Sequence, residues 1–414
     1  MDKRYTFDFD EPVRRRHTNS FKWDIPERHM GCEDVLGMWT ADMDFRSPQP
    51  MLDVLRKRLD HGVLGYTIRG ERYYEIIQNW VQRRYGWSLE KEDIHFCPPG
   101  VIPAVCMLLD VVTKPGDAVF AFMPNYDSLY GAAGSMGRRL VTAPLLLDRS
   151  PAKSCADWHL DLESFERLAK ENDIHTMLFC SPHNPVGRVW RMDELQALAE
   201  ICRRLDIFVI SDEVHYDILR EGVRHIPMGS VPGMEDRSAT LMSPNKSFNV
   251  AGLMTASVFI HNRSVMAAFR RKLSSWAMTL DTVFGTLAVE ELYSDPACEA
   301  WLEEVNRYLS GNLAYAAEAI NRSVPGVSTY VPEGTYLLWL DFSGTQLRGD
   351  ALCRHLVCDL GLDLCDGREF DPSKDDHMRL NCACTRATLE EAMRRLQGSR
   401  RLTAATVRQK ETTS

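Results

Sequence analysis

Three short segments carry residues that could do chemistry together. Ser181-Pro-His-Asn184-Pro-Val-Gly187, Ile210-Ser-Asp212-Glu-Val-His215 and Ser243-Pro-Asn-Lys246-Ser-Phe-Asn each follow an apolar run, respectively Ile174–Cys180, Ile207–Ile210 and Ala239–Met242. Runs of that kind read as buried strands, and in open α/β sheets ligands bind outside the carboxyl ends of successive parallel strands. The groups so delivered are an amide, a carboxylate, an imidazole and a lysine amine. A lysine can hold an aldehyde cofactor as an imine while a carboxylate holds the protonated ring nitrogen, the arrangement suited to pyridoxal 5'-phosphate (PLP). Taken singly, each residue has a bland alternative: Lys246 a surface lysine, Asp212 a helix cap, Asn184 a turn residue before proline, His215 a core histidine. Their order on three strand ends favours the shared site.

The elements that must position them follow from the hydrophobic pattern. Apolar runs and helical stretches alternate from Ile94 to about Ile260, among them Ala118–Met123, Leu140–Leu147 and an amphipathic helix over Met192–Leu205. Alternation of this kind predicts βαβ units and a mostly parallel sheet. Pro48 to Leu59 predicts a helix with Met51, Leu52, Leu55 and Leu59 on one face. Long helices are expected over Val283–Tyr293 and Cys298–Val324, then strands and helices mix from Val327 to Arg395, with a strand at Tyr336–Phe342 and helices at Asp350–Asp359 and Thr388–Leu396. The polar tail from 399 to 414 is expected to be disordered.

At 414 residues, with 44% hydrophobic and 26% charged residues, the chain has the composition of a soluble globular protein of two or three domains. A net charge of −9 gives no global pull towards nucleic acid or an acidic membrane. The first residues lack the apolar core of a secretory leader, so a cytoplasmic protein is expected. The twelve cysteines are irregularly spaced, and Cys32, Cys97, Cys106, Cys155, Cys180 and Cys202 read as reduced, buried small residues. Cys382-Ala-Cys384 lacks partners at zinc-like spacing, so no metal centre is expected.

Further motifs sharpen the picture. Asn19-Ser-Phe-Lys-Trp-Asp24, Trp39-Thr-Ala-Asp-Met-Asp-Phe45, His61-Gly-Val-Leu-Gly-Tyr66-Thr, Pro99-Gly100-Val101, His183-Asn-Pro-Val-Gly-Arg-Val-Trp190, Pro332-Glu-Gly-Thr-Tyr-Leu-Leu-Trp-Leu-Asp341 and Met378-Arg379-Leu-Asn381 follow one another along the chain. With them the sequence resembles the fold-type I PLP enzymes of the class I/II aminotransferase superfamily, and within it the MalY/PatB group of cystathionine β-lyase-like carbon–sulfur lyases. The resemblance implies an α/β, aspartate aminotransferase-like fold. A mostly parallel seven-stranded sheet would form a large PLP domain over 46–290. A smaller α+β domain over 291–398 would be joined by the N-terminal segment 1–45.

The resemblance also assigns roles. Lys246 would carry the cofactor and act as the base at Cα, and Asp212 would face the pyridine nitrogen. Asn184 and His215 would address the phenolic oxygen. Gly100 and the amides of Val101 and Ile102 would cradle the phosphate at a helix start, assisted by Ser243. Asn245 stands where serine is usual, and Met254 where aminotransferases place an arginine. Tyr126 would stack on the ring, and Arg379 would receive the substrate carboxylate. Tyr66, counted with the catalytic residues, would reach the neighbouring site of a homodimer. The implied reaction is α,β-elimination of L-cystathionine or a related cysteine S-conjugate to thiol, pyruvate and ammonia. An aminotransferase, an amino-acid racemase, or a lyase-like protein that also binds a regulatory partner are the alternatives.

Overall fold

A computed structural model describes residues 7–402. Its centre is a seven-stranded sheet of β1 (Ile94–Phe96), β2 (Ala118–Met123), β3 (Arg139–Pro144), β4 (Thr176–Cys180), β5 (Phe208–Asp212), β6 (Ser238–Met242) and β7 (Ser257–Ile260). The spatial order is β1-β7-β6-β5-β4-β2-β3. Neighbours from β6 to β3 run parallel, while β7 is antiparallel to both β6 and β1.

Strand β2 shows why the apolar runs become strands. All six of its residues are buried, as expected where helices cover both faces of a parallel sheet. Phe120 and Phe122 enter the core on one face, with Phe165 and Trp190; Val119 and Ala121 enter the other, with Leu108 and Leu129. That alternation is the two-residue period of a strand. The Met192–Arg204 helix covers one face with Leu195, Leu198, Ala199, Ile201 and Cys202, and its arginines stay near the C-terminal end.

The C-terminal part adds an antiparallel sheet of β8 (Leu337–Asp341), β9 (Cys365–Asp366) and β10 (His377–Asn381), in the order β8-β10-β9. Its core residues pack with the long Pro296–Ser323 helix and the Arg386–Gln397 helix. The N-terminal segment reaches the same region, where Leu36–Gly37 pairs in parallel with Leu362–Asp363.

Several expectations need correction. The expected strand over 140–147 is broken at Leu145: β3 ends at Pro144, and Leu146–Leu147 turns away to pair with Trp158–His159. Leu59 is 55% exposed, so only Met51, Leu52 and Leu55 of the expected helical face meet the core. The Gly349–Arg354 helix widens into a π-turn over His355–Asp359 rather than continuing as α-helix. Disorder was expected from 399, yet Ser399 and Leu402 are buried and Ser399 Oγ lies 2.7 Å from His355 Nε2. The rest of that tail, 403–414, lies outside the described residues. Cys32, expected to be reduced, forms a disulfide with Cys358, their Cα atoms 5.4 Å apart. Spacing along the sequence could not show that pairing, because the fold folds the N-terminal segment back onto a region 326 residues away.

Candidate active site

The carboxyl ends of β4, β5 and β6 are level, with Cys180 paired to Asp212 and Asp212 to Leu241. Asn184, Asp212, His215 and Lys246 therefore leave the sheet on one edge. Each loop is held in its own way.

The loop carrying Asn184 packs against the Pro332–Gly334 turn. A Cβ on Gly187, at φ +76°, would come within 2.3 Å of Pro332 Cβ, so only glycine permits this approach. Arg188 is fully buried beneath the loop and donates to Glu333 (2.7 Å), to Glu194 and to the Trp158 carbonyl. These motif residues act as a structural lock on Asn184.

Lys246 sits in a one-turn helix, Pro244–Ser247, with proline at its first position, where no donor is lost. Ser243 caps that turn: its Oγ accepts from Asn245 N (3.2 Å) and donates to the Thr255 carbonyl (2.6 Å). The hydroxyl proton expected to reach a phosphate is thus held by Thr255. Asn245 also faces Thr255, through 3.4 Å contacts on both sides of its amide. The next residue, Ser247, donates to the buried Asp217, which Arg84 and Tyr85 also hold.

The electrostatics of the cluster set its proton states. Burial lowers the Lys246 amine to about 8, with Arg379 pushing the same way and Asp42 and Asp212 opposing. Burial raises the Asp212 carboxyl to about 6, against the Val214 amide 3.1 Å from Oδ1 and the charge of Lys246. Burial, then the charges of Lys246 and Arg379, hold His215 well below its usual range, so its imidazole is neutral.

Arg379 lies on the central strand of the small sheet, between Trp339 and Cys365. It is buried, donates to Asn184 Oδ1 (3.1 Å) and the Trp39 carbonyl (2.7 Å), and lies 4.7 Å over the Phe370 ring. Asn184, expected only beside a cofactor ring, is thus also a direct partner of the arginine. Tyr126 precedes the Asp127–Ser135 helix and is half-buried between the two sheet cores. Burial raises its phenol, and both Arg379 and Asp212 act on that hydroxyl.

Gly100 opens the Val101–Val112 helix at φ +139°, and a Cβ there would meet no atom within 4 Å. The first amides of a helix lack intrahelical partners, and Pro103 removes none that is needed. The space beside Gly100, at the start of the helix that carries the Val101 and Ile102 amides, is thus open.

Tyr66 is not brought to these residues within one chain; it is 93% exposed. Three features went unassigned from sequence although the motifs contain them. Tyr336 is wholly buried, and its hydroxyl donates to the Ala41 carbonyl (2.8 Å). Lys246 Nζ donates to that same oxygen (2.6 Å). Asn381 donates to the Thr40 and Asp42 carbonyls, both at 2.6 Å. Backbone carbonyls leave no signature in a sequence, so these partners could not be read there.

The residues fit PLP on structural grounds. His215 Nδ1 and Arg379 Nε are buried polar atoms without a hydrogen-bond partner among the described residues, and groups of that kind await a ligand or water. A carboxylate, a lysine of depressed basicity and a glycine-lined helix start complete the donor set.

The profile of the aminotransferase class I and II family matches residues 60–396. The chain is 33% identical over 392 residues to cystathionine β-lyase PatB of Bacillus subtilis, covering 94% of this chain and 99% of that one. It is 30% identical to protein MalY of Escherichia coli, covering 94% and 97%. Its structure matches that of cystalysin from Treponema denticola, which contains PLP, with a TM-score of 0.90 and 29% identity over 95% and 98% of the chains. This chain belongs to the aminotransferase class I and II family.

Proposed function

We propose that the protein is a PLP-dependent carbon–sulfur β-lyase. It would cleave L-cystathionine or a related cysteine S-conjugate to a thiol, pyruvate and ammonia. The observation that carries the reading is the convergence of Lys246, Asp212 and Arg379 around one buried edge of the sheet. The relatives named as cystathionine β-lyases supply the reaction class.

Lys246 would hold the cofactor covalently, with Asp212 at its ring nitrogen. Asn184 and His215 would lie on its phenolic side, Tyr126 against its face, and the Val101 and Ile102 amides at its phosphate. When bound, PLP supplies an electron sink for the pair left at Cα. Arg379 binds the substrate carboxylate through its planar fork and turns the Cα–H bond towards Lys246. Once the substrate amine has displaced it from the cofactor, the freed Lys246 amine, whose proton affinity burial lowers, takes that proton. The sulfur then leaves from Cβ as the thiolate. The substrate's small-molecule character follows from an interior site reached by one arginine fork.

We further propose a homodimer. Leu59, Val63, Leu64, Tyr66 and Ile68 are exposed apolar residues in one stretch, and exposed Trp276 and Leu280 shortly precede Asp281, the bridge partner of Thr67. A contiguous apolar surface of this kind marks an interface. Tyr66 would cross it to the neighbouring site.

The test is the fate of the cofactor. PLP-loaded protein given L-cystathionine without a keto acid should return to its starting absorbance as pyruvate accumulates. Stoichiometric arrest in the pyridoxamine form, relieved by adding a keto acid, would make it an aminotransferase instead.

A further inference from the structure

The segment Trp39–Asp44 runs between the two sheets and is gripped through its carbonyls. Arg379 holds Trp39, Asn381 holds Thr40 and Asp42, Lys246 and Tyr336 hold Ala41, and Asn249 holds Met43. The Asp42 and Asp44 carboxylates anchor it. Arg15 pairs with both (2.6 and 2.7 Å), and buried Lys22 pairs with Asp44 (2.8 Å). The strap is therefore fixed at each end, and Ala41 lies at its middle.

We propose that Tyr336 is a positioning residue for the reaction: its hydroxyl fixes the Ala41 carbonyl as the acceptor that aims the Lys246 amine. A carbonyl oxygen has two lone pairs. Tyr336 occupies one, at 2.8 Å, and Lys246 Nζ occupies the other, at 2.6 Å. With one direction taken, the amine is restricted to the second. Tyr336 is well suited to this because it is wholly buried and its ring rests 5.7 Å from His215, edge to face. Burial also keeps its phenol protonated, so it acts only as a donor to this oxygen.

The arrangement has a consequence for proton affinity. A carbonyl that already accepts one hydrogen bond is a weaker acceptor for an ammonium. Tyr336 therefore works against protonation of Lys246. The other charged groups acting on Nζ are Asp42, Asp212 and Arg379, and His215 feels its charge. None of them changes when Tyr336 loses only its hydroxyl.

The inference rests on Lys246 being the reactive amine, and its test separates the two ideas. In cofactor-free Tyr336→Phe protein, Lys246 is followed by 13C NMR after reductive methylation, with its signal assigned by its loss in Lys246→Met. The titration midpoint should move upward from that of the parent protein. In loaded protein kcat should fall roughly tenfold, with KM within about twofold of the parent value. An unmoved midpoint would overturn the proposal, as would a KM that rises in step with the fall in kcat. The NMR arm uses neither cofactor nor substrate. Failure to bind PLP or cleave cystathionine would therefore count against the lyase reading alone.

Discussion

Lys246 and Asp212 are shifted in opposite directions by the same cause, and that gives each a distinct pH signature. The folded lysine binds its proton less tightly than the unfolded one, at about 8 against 10.5. Between those values the unfolded chain holds more protons, so the stability contributed by this group rises with pH across that window. Asp212 is held at about 6 against 3.8. Its folded form keeps the proton longer, so its contribution is greatest below 3.8 and is lost as pH rises through 6. Both residues thus cost the cofactor-free protein stability at pH 7. Thermal melts without cofactor should show Asp212→Asn above the parent at pH 7 and level with it near pH 3.8. Arg379 is read differently. Replacing it with lysine loses the fork that holds both Asn184 and Trp39, and KM should rise at least about tenfold while cofactor absorbance stays unchanged. At this scale the sequence was most legible, because side-chain type and strand-end position together specify the chemistry. It was silent on Tyr336 and Ala41, whose roles pass through a backbone oxygen.

Elements set where those side chains point. The Pro244–Ser247 turn depends on the Ser243 cap and its bond to Thr255. Ser243→Ala should lower stability by about 1 kcal/mol, measured by denaturant unfolding. It should leave phosphate affinity little changed, since the hydroxyl serves Thr255. Gly100 is the opposite case. Alanine fits the space above it but not its φ of +139°, so Gly100→Ala should tilt the first turn of the helix. Cofactor affinity should then weaken about tenfold or more, as read by fluorescence titration. The strands were legible because β2, β4 and β5 are short continuous apolar runs. The exceptions have physical causes. Leu140–Leu147 reads as one run, but the chain leaves the sheet at Leu145, and apolar residues on both sides of the break hide it. Leu59 fits a helical face by spacing, yet the core ends before it does.

For the whole molecule, the decisive relations are between distant parts of the chain. The N-terminal segment threads from the Cys32–Cys358 bridge through the Leu36–Gly37 pairing to the strap over Lys246. Periodicity and motif order contain none of this, and only the family resemblance pointed to the two chain ends meeting. Tyr66, exposed in the single chain, is the residue proposed to serve a second one. If it serves the neighbouring site, mixing Tyr66→Ala and Lys246→Ala homodimers under subunit exchange should restore activity, since each hybrid keeps one intact site. No recovery would place Tyr66 outside the partner's site. Ile68→Glu, in the same exposed stretch, should shift sedimentation towards the monomer and remove activity.

Product analysis decides whether the protein is a carbon–sulfur β-lyase. Purified, PLP-loaded protein is given L-cystathionine with no keto acid, and pyruvate, ammonia and free thiol are measured over many turnovers. A carbon–sulfur β-lyase built on Lys246 yields the three in equal amounts, and Lys246→Ala loses all of them. Ammonia-free consumption of the substrate, or pyruvate formation that persists in Lys246→Ala, would contradict that reading.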